Sequence, residues 1–222
     1  MQCIVTAGPT FEPLDAVRRL TNLSTGRLGA ELAGFLSGRG HDVTLFIGQQ
    51  ATYCGERRAR YVETFTTTAN LRDGLEALAS PAVGAVFHAA AVSDFSFGRV
   101  WCQPPQGPPK DVKTGKFSTR EGTLLAELVP TPKIIADLRQ WFPQARLMGW
   151  KFEVEGERAG VIRLAEEQLA ECHTDGCVAN GPAYGAGFGL VRPGAPPAHL
   201  PDDAALFAAL EEFMRKAPAS GR

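Results

Sequence analysis

Short apolar runs alternate with stretches of helical periodicity along most of this chain, and this alternation limits the fold more than any other feature. The run CIVTAG at residues 3–8 predicts a buried strand that ends in glycine. Residues 26–39 follow with leucines on one helical face, and Gly40 ends that pattern. Strands that alternate with helices at this spacing predict a parallel sheet with helices on both faces. We therefore expect an α/β fold, with a Rossmann-like, doubly wound and mainly parallel sheet.

The same pattern continues through the rest of the chain. Further strands are predicted at HDVTLFIG, RYVETFT, AVGAVFHAAAV, ARLMGWKFE and DGCVAN. Further helices are predicted at NLRDGLEALAS, PKIIADLRQWF, GERAGVIRLAEEQLAECH and DDAALFAALEEFMRKA. Asn70 is the expected N-cap of the first of these helices, because its short amide side chain can accept from a free backbone N–H.

The alternation stops between residues 93 and 122. Prolines, glycines and lysines crowd this segment without periodicity, which is typical of a functional loop or a mobile segment. We therefore expect a mobile loop or flap inserted into one domain that spans residues 1–216. Residues 181–200 are predicted to form a loop or an irregular hairpin, and residues 217–222 a flexible tail.

Composition excludes several classes of protein. The formal net charge of -1 gives no support to a nucleic-acid partner or an acidic membrane surface. The chain has no run of about 18 apolar residues and no recognisable signal peptide, so no membrane segment is expected. The five cysteines are scattered and odd in number, which favours reduced thiols and a cytoplasmic protein. Cys172 and Cys177 lack the spacing of a zinc site, and we expect no metal site built by the chain itself.

Ligands of an open parallel sheet bind beyond the carboxyl ends of its strands, and three segments are predicted to lie there. Residues 8–26 contain GPT and TNLSTG, whose backbone N–H groups and following helix N-terminus suit an anion. The segment HAAAVSDFS ends a strand with small residues and offers Asp94, and KDVKTGKFS carries three lysines that suit phosphates. A helix cap, a packed strand end and a solvated charge run are the ordinary explanations of these segments. His88 is, by the same reasoning, a core histidine more often than a catalyst.

Taken in order, these segments resemble one family. The succession GPT, EPLDAVRRLTNLSTGRLG, AAAVSDF, GKFS, GWKFE and VAN, over about residues 3–181, resembles phosphopantothenate–cysteine ligase (phosphopantothenoylcysteine synthetase). The stretch VRRLTNLSTGRLG is the most specific part of the resemblance, and AAAVSDF is nearly as specific. No decarboxylase-like flavoprotein domain precedes these motifs, so the stand-alone form of the ligase is expected.

The resemblance implies an enzyme of coenzyme A biosynthesis that joins 4'-phosphopantothenate to L-cysteine. The family activates the carboxylate with a nucleoside triphosphate, CTP or ATP, which gives an acyl-nucleotide and pyrophosphate. The amine of cysteine then displaces the nucleotide. Such chemistry needs alignment and charge neutralisation more than a protein nucleophile. The resemblance also implies Mg²⁺ that arrives with the triphosphate, and a homodimer.

The resemblance also assigns roles to individual residues. Asn22 would hold the acyl carbonyl of the intermediate, and Lys116 would neutralise phosphate or carboxylate charge, so these two are the expected catalytic residues. The expected contacts on the pantothenate side are Arg18, Ser24, Thr25 and Gly26. The expected nucleotide contacts are Gly8, Ala89, Ala90, Ala91, Asp94, Lys116, Pro132, Lys133, Ile134 and Trp150.

The chain departs from the family pattern at positions that bear on nucleotide handling. Bacterial members carry a Lys-x-x-x-Lys pair on the helix before the AN motif, where this chain has Gln168 and Cys172. Phe11 and Gly181 also replace the common residues, whereas Lys151 in GWKFE is more like the animal enzymes, which use ATP. A homologue that binds its ligands but turns over weakly is therefore one alternative. An NAD(P)-dependent oxidoreductase is the other, disfavoured because GxGxxG and a helical Tyr-x-x-x-Lys are absent.

Overall fold

The computed structural model describes residues 1–112, 115–118, 120 and 122–215. The strands are β1 (Gln2–Ala7), β2 (Phe11–Pro13), β3 (Arg19–Thr21), β4 (Asp42–Gly48), β5 (Tyr61–Phe65), β6 (Val83–His88), β7 (Phe95–Gln103), β8 (Lys110–Asp111), β9 (Thr123–Pro130), β10 (Arg146–Phe152), β11 (Gly176–Asn180), β12 (Phe188–Arg192) and β13 (Ala195–Leu200). The helices are α1 (Arg27–Gly38), α2 (Thr68–Ala77), α3 (Ile134–Trp141), α4 (Arg158–Glu171) and α5 (Asp203–Arg215).

Eight strands form the central sheet in the order β13-β12-β11-β10-β6-β1-β4-β5. The six strands from β11 to β5 run parallel, and β12 and β13 extend the sheet as an antiparallel hairpin. The register of this hairpin shifts between Leu190 and Arg192, so the irregular hairpin predicted within residues 181–200 is confirmed. The predicted mainly parallel sheet is also confirmed.

Helices cover both faces of the sheet, which confirms the doubly wound arrangement. On one face, Leu32 and Leu36 of α1 and Leu210 of α5 are fully buried in one core cluster. On the other, Leu71 of α2 and Leu138 of α3 are buried in a second cluster. The helix α4 lies on the same side as α3, because a Cβ placed on Gly149 of β10 would lie 2.7 Å from side chains of both helices.

The segment that breaks the alternation carries a separate antiparallel sheet of order β8-β7-β9. The prediction that residues 93–122 form a loop is therefore wrong at β7 and β8. The pairing of β7 with β9 shifts between Phe97 and Val100, so the alternation of side chains changes phase in mid-strand and gives no sustained period. The mobility predicted for this segment stays a prediction, and residues 113, 114, 119 and 121 lie outside the described residues.

The cap of α2 also differs from the prediction. Thr67 is the N-cap, and its side-chain oxygen accepts from the backbone N–H of Asn70 at 3.1 Å. Asn70 lies three residues after the cap, inside the helix. Its Oδ1 accepts a hydrogen bond from the backbone N–H of Thr66 at 2.9 Å. The helix begins earlier than expected because threonine serves as a cap nearly as well as asparagine.

In the part of the chain that the structure describes, no helix is both long and apolar enough to cross a membrane. The predicted tail at residues 217–222 lies outside the described residues.

Candidate functional site

A cleft of about 1350 Å³ opens where β1, β6, β10 and β11 end, at the edge where open parallel sheets bind their ligands. It brings together every predicted site residue except Arg18 and Lys116. The predicted residues that border it are Gly8, Asn22, Ser24, Thr25, Gly26, Ala89, Ala90, Ala91, Asp94, Pro132, Lys133, Ile134 and Trp150. A smaller pocket of about 650 Å³ lies near the amino ends of β1, β4, β5 and β6 and is bordered by none of the predicted site residues.

Glycines allow the chain to turn tightly at the end of β1. Gly8 and Gly26 both have a φ of 77°, a conformation that other residues rarely adopt. A Cβ would lie 2.8 Å from the Cβ of Ala51 if it were added to Gly8, and 3.0 Å from it if added to Gly26. An added Cβ on Gly29 would lie 2.6 Å from the Cβ of Ala7. The N-terminus of α1 is therefore held close to β1. Its first turn has no acidic residue, which leaves the positive end of the helix dipole beside the cleft.

Asn22 ties the loop before α1 to the loop after β6. Its Nδ2 donates to the carbonyl oxygens of Ala91 at 3.3 Å and Val92 at 3.0 Å. The backbone N–H of Ala91 in turn donates to the carbonyl of Gly8 at 2.9 Å. Two segments that are far apart in the sequence therefore form one continuous wall of the cleft, and Asn22 is exposed on it.

Arg18 and Lys116 do not border the cleft, but the chain segments that carry them are held together by Asp15. The Asp15 carboxylate accepts from the backbone N–H groups of Arg18, Val17 and Phe117, and it pairs with Arg18 Nη1 at 2.7 Å. Arg18 Nη2 also donates to the carbonyl of Phe117 at 3.2 Å. Burial raises the pKa of Asp15, but these hydrogen bonds and the guanidinium outweigh burial and hold the pKa below its usual value. Sequence reasoning did not single out Asp15, although this residue lies within the stretch EPLDAVRRLTNLSTGRLG.

The wall of the cleft at α4 contains the two positions at which this chain departs from the Lys-x-x-x-Lys pattern. Gln168 and Cys172 both border the cleft, together with Glu167 and Glu171. The Gln168 amide donates to the carbonyl of Trp150 at a long 3.4 Å. Cys172 is buried, and burial raises the pKa of its thiol. This wall therefore carries the negative charge of two glutamates and neutral side chains at the two positions.

Two lysines border the cleft from other elements. Lys151 of β10 forms an ion pair with Glu153, with 3.0 Å between Nζ and Oε1. Lys133 is the exposed N-cap residue of α3 and forms no ion pair with any residue that the structure describes. Its positive charge acts on the thiol of Cys172, the C-cap residue of α4, and opposes the rise in the pKa of that thiol. Lys133 thus supplies positive charge close to the wall that lacks it.

Thr6 and His88 form a buried polar pair at the floor of the cleft. The side-chain oxygen of Thr6 lies 2.9 Å from Nδ1 of His88, which is 6% exposed and borders the cleft. Burial lowers the pKa of His88 to about 4. The sequence interpretation treated His88 as a core histidine, which accounts for its burial but not for its place in the cleft. The sequence did contain a signal for this place: Thr6 and His88 are polar residues near the carboxyl ends of β1 and β6, which are adjacent strands.

Metal ligands are not clustered here. Within residues 1–112, 115–118, 120 and 122–215, no three or more histidine, cysteine, aspartate or glutamate side chains are grouped to hold a metal ion. The acidic side chains at the cleft border, among the described residues, are those of Asp94, Glu167 and Glu171.

Comparison with known proteins gives a family for this sequence and fold. The family model of the DNA/pantothenate metabolism flavoprotein C-terminal domain matches residues 1–192. The coenzyme A biosynthesis bifunctional protein CoaBC of Thermococcus kodakarensis is 32% identical over 181 residues, which are 80% of this chain and 40% of that protein. The chain thus spans less than half the length of this curated relative.

Solved structures share the fold. A DNA/pantothenate metabolism flavoprotein from Streptococcus pneumoniae superposes with a TM-score of 0.79 at 23% identity, over 96% of this chain and 98% of that one. A Cab2 mutant in complex with phosphopantothenate-cysteine superposes with a TM-score of 0.68 at 19% identity, over 96% of this chain and 85% of that one. At these identities the likeness establishes the α/β Rossmann-like fold.

Proposed function

Because the chain belongs to the family of the DNA/pantothenate metabolism flavoprotein C-terminal domain, we propose that it is a ligase of coenzyme A biosynthesis that joins 4'-phosphopantothenate to L-cysteine. The observation that carries the proposal is the wall in which Asn22 donates to the carbonyls of Ala91 and Val92. This contact brings the proposed acyl site and the proposed nucleotide site to one cleft. A Cab2 mutant with the same fold binds phosphopantothenate-cysteine, which supports this choice of product.

The reaction that we propose has two displacement steps. The carboxylate of phosphopantothenate attacks the α-phosphorus of a nucleoside triphosphate, an acyl-nucleotide forms and pyrophosphate leaves. The amine of cysteine then attacks the acyl carbon, the amide bond forms and the nucleoside monophosphate leaves. Neither step requires a protein nucleophile, so the chain contributes positioning and electrostatic stabilisation.

Residues of the α1 side would hold the acyl group. Asn22 Nδ2 carries two hydrogens, and one of its two contacts is long at 3.3 Å, so the amide is suited to turn one N–H towards the acyl carbonyl. Ser24, Thr25 and Gly26 precede the N-terminus of α1, where backbone N–H groups and the helix dipole favour an anionic oxygen. Arg18 would reach the pantothenate side from outside the cleft.

Residues of the opposite side would hold the nucleotide. We propose Asp94 and Trp150 as contacts of its base or sugar, and Lys133 and Lys116 as the cations for its phosphates. The remaining nucleotide contacts in this proposal are Gly8, Ala89, Ala90, Ala91, Pro132 and Ile134. Mg²⁺ would enter with the triphosphate, since the carboxylates at the cleft border are oxygen ligands of the kind that Mg²⁺ prefers.

We further propose a homodimer in the cytoplasm, built from one domain that spans residues 1–216. Large apolar side chains are exposed on β7 and β9, among them Phe95, Leu125, Leu128 and Val129, each at least 40% exposed. Exposed apolar side chains of this kind are typical of a surface that pairs with another chain. Five cysteines, none in a disulfide, suit a reducing compartment.

Pyrophosphate release is the test of this function. The purified protein would receive phosphopantothenate, cysteine and Mg²⁺ with either CTP or ATP, and the ligated product would be followed by mass spectrometry. We expect release that depends on phosphopantothenate and product that also depends on cysteine. Because Gln168 and Cys172 replace a lysine pair, we expect a high nucleotide KM and use of both nucleotides. Ligand binding without product would instead support the weakly active homologue, and NAD(P)H protection in a thermal melt would support an oxidoreductase.

A further inference from the structure

His88 lies at the floor of the cleft, on the face of the sheet that α3 and α4 cover. It is the last residue of β6 and pairs in register with Thr6 of β1 on one side and with Gly149 of β10 on the other. Ile135 of α3 and Gln168 of α4 lie over Gly149, since a Cβ there would be 2.7 Å from both side chains. The imidazole is therefore enclosed on several sides, and it also borders the cleft.

The hydrogen bonds of Thr6 determine which nitrogen of His88 carries the proton. The Thr6 hydroxyl is fully buried and already accepts from the backbone N–H of Ala90 at 3.1 Å. If His88 Nδ1 accepts at 2.9 Å, the single hydroxyl hydrogen of Thr6 has its partner. If Nδ1 were protonated instead, that hydrogen would find no other acceptor among the described residues, and an unsatisfied buried donor is costly. The proton of the neutral ring therefore resides on Nε2.

No described residue accepts a hydrogen bond from His88 Nε2. The ring is also kept uncharged by its surroundings, because burial lowers the pKa of His88 to about 4 and no neighbouring charge contributes to that shift. Thr6 of β1 and Gly149 of β10 pair with His88, Ile135 and Gln168 lie over Gly149, and none of these four residues titrates. At neutral pH the site thus presents one fixed, uncharged N–H donor.

We propose that His88 is a substrate-contacting residue whose Nε2–H donates, as a neutral group, to an acyl or phosphoryl oxygen of the ligands bound in this cleft. This inference rests on the proposed ligase function, which supplies ligands with such oxygens. Thr6 is the positioning residue, because its hydroxyl fixes the tautomer and the orientation of the ring.

A neutral donor suits this part of the cleft. The neighbouring position on α4 is Gln168, whose amide is directed to the carbonyl of Trp150, so no cation from α4 competes for the same oxygen. A preorganised donor that is aimed at an oxygen where negative charge develops lowers the barrier without any proton transfer. Such a donor also stays uncharged across the neutral pH range, whereas a histidine that titrates near pH 6.5 gains a positive charge within it.

The tautomer and the contact can be observed directly by NMR of the ¹⁵N-histidine-labelled protein. The chain has four histidines, so the His88→Gln variant assigns the signals of His88. We expect the Nε2–H tautomer without inflection between pH 5.5 and 8, and a shift of the Nε2 signal when phosphopantothenate, CTP or ATP is added. The compound that moves the signal shows whether His88 contacts phosphopantothenate or the nucleotide. An Nδ1–H tautomer, or a signal that none of the three moves although they bind, would overturn the proposal.

Kinetics of paired variants separate a donor from a structural histidine. His88→Leu should lower kcat by about 100-fold or more, as loss of one oxyanion donor does. His88→Gln places an amide N–H near the position of Nε2, and we expect it to recover at least ten-fold of that loss. Thr6→Val should lower kcat, and Thr6→Ser should recover most of the decrease because it keeps the hydroxyl.

Two results distinguish this inference from the proposed function. If wild-type protein releases pyrophosphate and folded His88→Leu does so at the same rate, the function stands and the role of His88 is overturned. Equal losses in His88→Gln and His88→Leu, with unchanged thermal melts, would also overturn it. The NMR tautomer is measured without turnover, so it reports on His88 even if the ligase assay is negative.

Discussion

Replacement of His88 by Gln should flatten the pH dependence of the free energy of unfolding between pH 7 and pH 5. An unfolded histidine has a pKa of about 6.5. Burial lowers the pKa of His88 to about 4 in the folded protein. Because the folded pKa is the lower one, the unfolded chain binds more protons once the pH falls below 6.5. The contribution of His88 to stability is therefore complete above pH 6.5 and is lost progressively down to about pH 4. With these two pKa values the loss from pH 7 to pH 5 is about 2 kcal/mol.

Urea denaturation of both proteins at pH 7, 6 and 5 measures this loss. We expect the wild type to lose about 2 kcal/mol more than His88→Gln over this interval. Val86→Ala, a change of a fully buried residue in the same strand, is the control that lowers stability at every pH without removing a titratable group. Although burial opposes them, hydrogen bonds from Arg39 and His41 lower the pKa of Glu211. The contribution of Glu211 to stability is therefore lost mainly below its usual pKa of 4.5. Equal slopes for wild type and His88→Gln would refute the reasoning, since they would show that the ring takes up its proton without unfolding.

Further outcomes follow from other contacts of the site. Asn22→Asp places a negative charge where the acyl-nucleotide would lie, so kcat for cysteine ligation should fall by about 100-fold or more, and wild-type ligation by the folded variant would remove Asn22 from the mechanism. Asp15→Asn keeps one carbonyl oxygen but turns an amide N–H towards the backbone N–H of Phe117, so the contact between these two segments is lost. The KM for phosphopantothenate should then rise by about ten-fold. An unchanged KM would show that the contact between Asp15 and Phe117 is irrelevant to binding. The double change Gln168→Lys with Cys172→Lys should tighten nucleotide binding measured by calorimetry, most visibly at low salt. If the unchanged protein already binds CTP with a low-micromolar Kd and rejects ATP, the phosphates are held elsewhere.

The central sheet was predictable because buried parallel strands need continuous apolar runs, and the helices between them need one apolar face. The insertion was not, because the register shift between Phe97 and Val100 breaks the period of β7 and because β8 has only 2 residues. The cap of α2 was misplaced by three residues for a related reason. Thr67 and Asn70 both have side chains that cap helices, and only the folded backbone determines which of them stands at the start.

The cleft was predictable to the extent that its residues follow strands of one sheet. Gly8 and Ala91 come after β1 and β6, and adjacent parallel strands end at the same edge, so the motifs had to meet. Asp15 and His88 were not identified as parts of the site because their roles depend on partners far away in the sequence. Asp15 acts through Phe117, and the tautomer of His88 depends on Thr6. Such pairings follow from register and loop contacts, which one sequence does not contain.

The spacing of three glycines explains how this fold holds a site without a dinucleotide-binding motif. In G-x-G-x-x-G the glycines serve a tight turn, close approach to a phosphate and close packing of helix on strand. Gly8 makes the turn, Gly26 and Gly29 keep the G-x-x-G spacing, and Gly29 packs against Ala7. Residues 9–25 separate the first glycine from the second and contain the β2–β3 hairpin. The geometry of the motif is therefore retained while its sequence is interrupted. The interruption places an amide-bearing loop at the helix N-terminus, a setting that suits the acyl-phosphate group of the proposed intermediate.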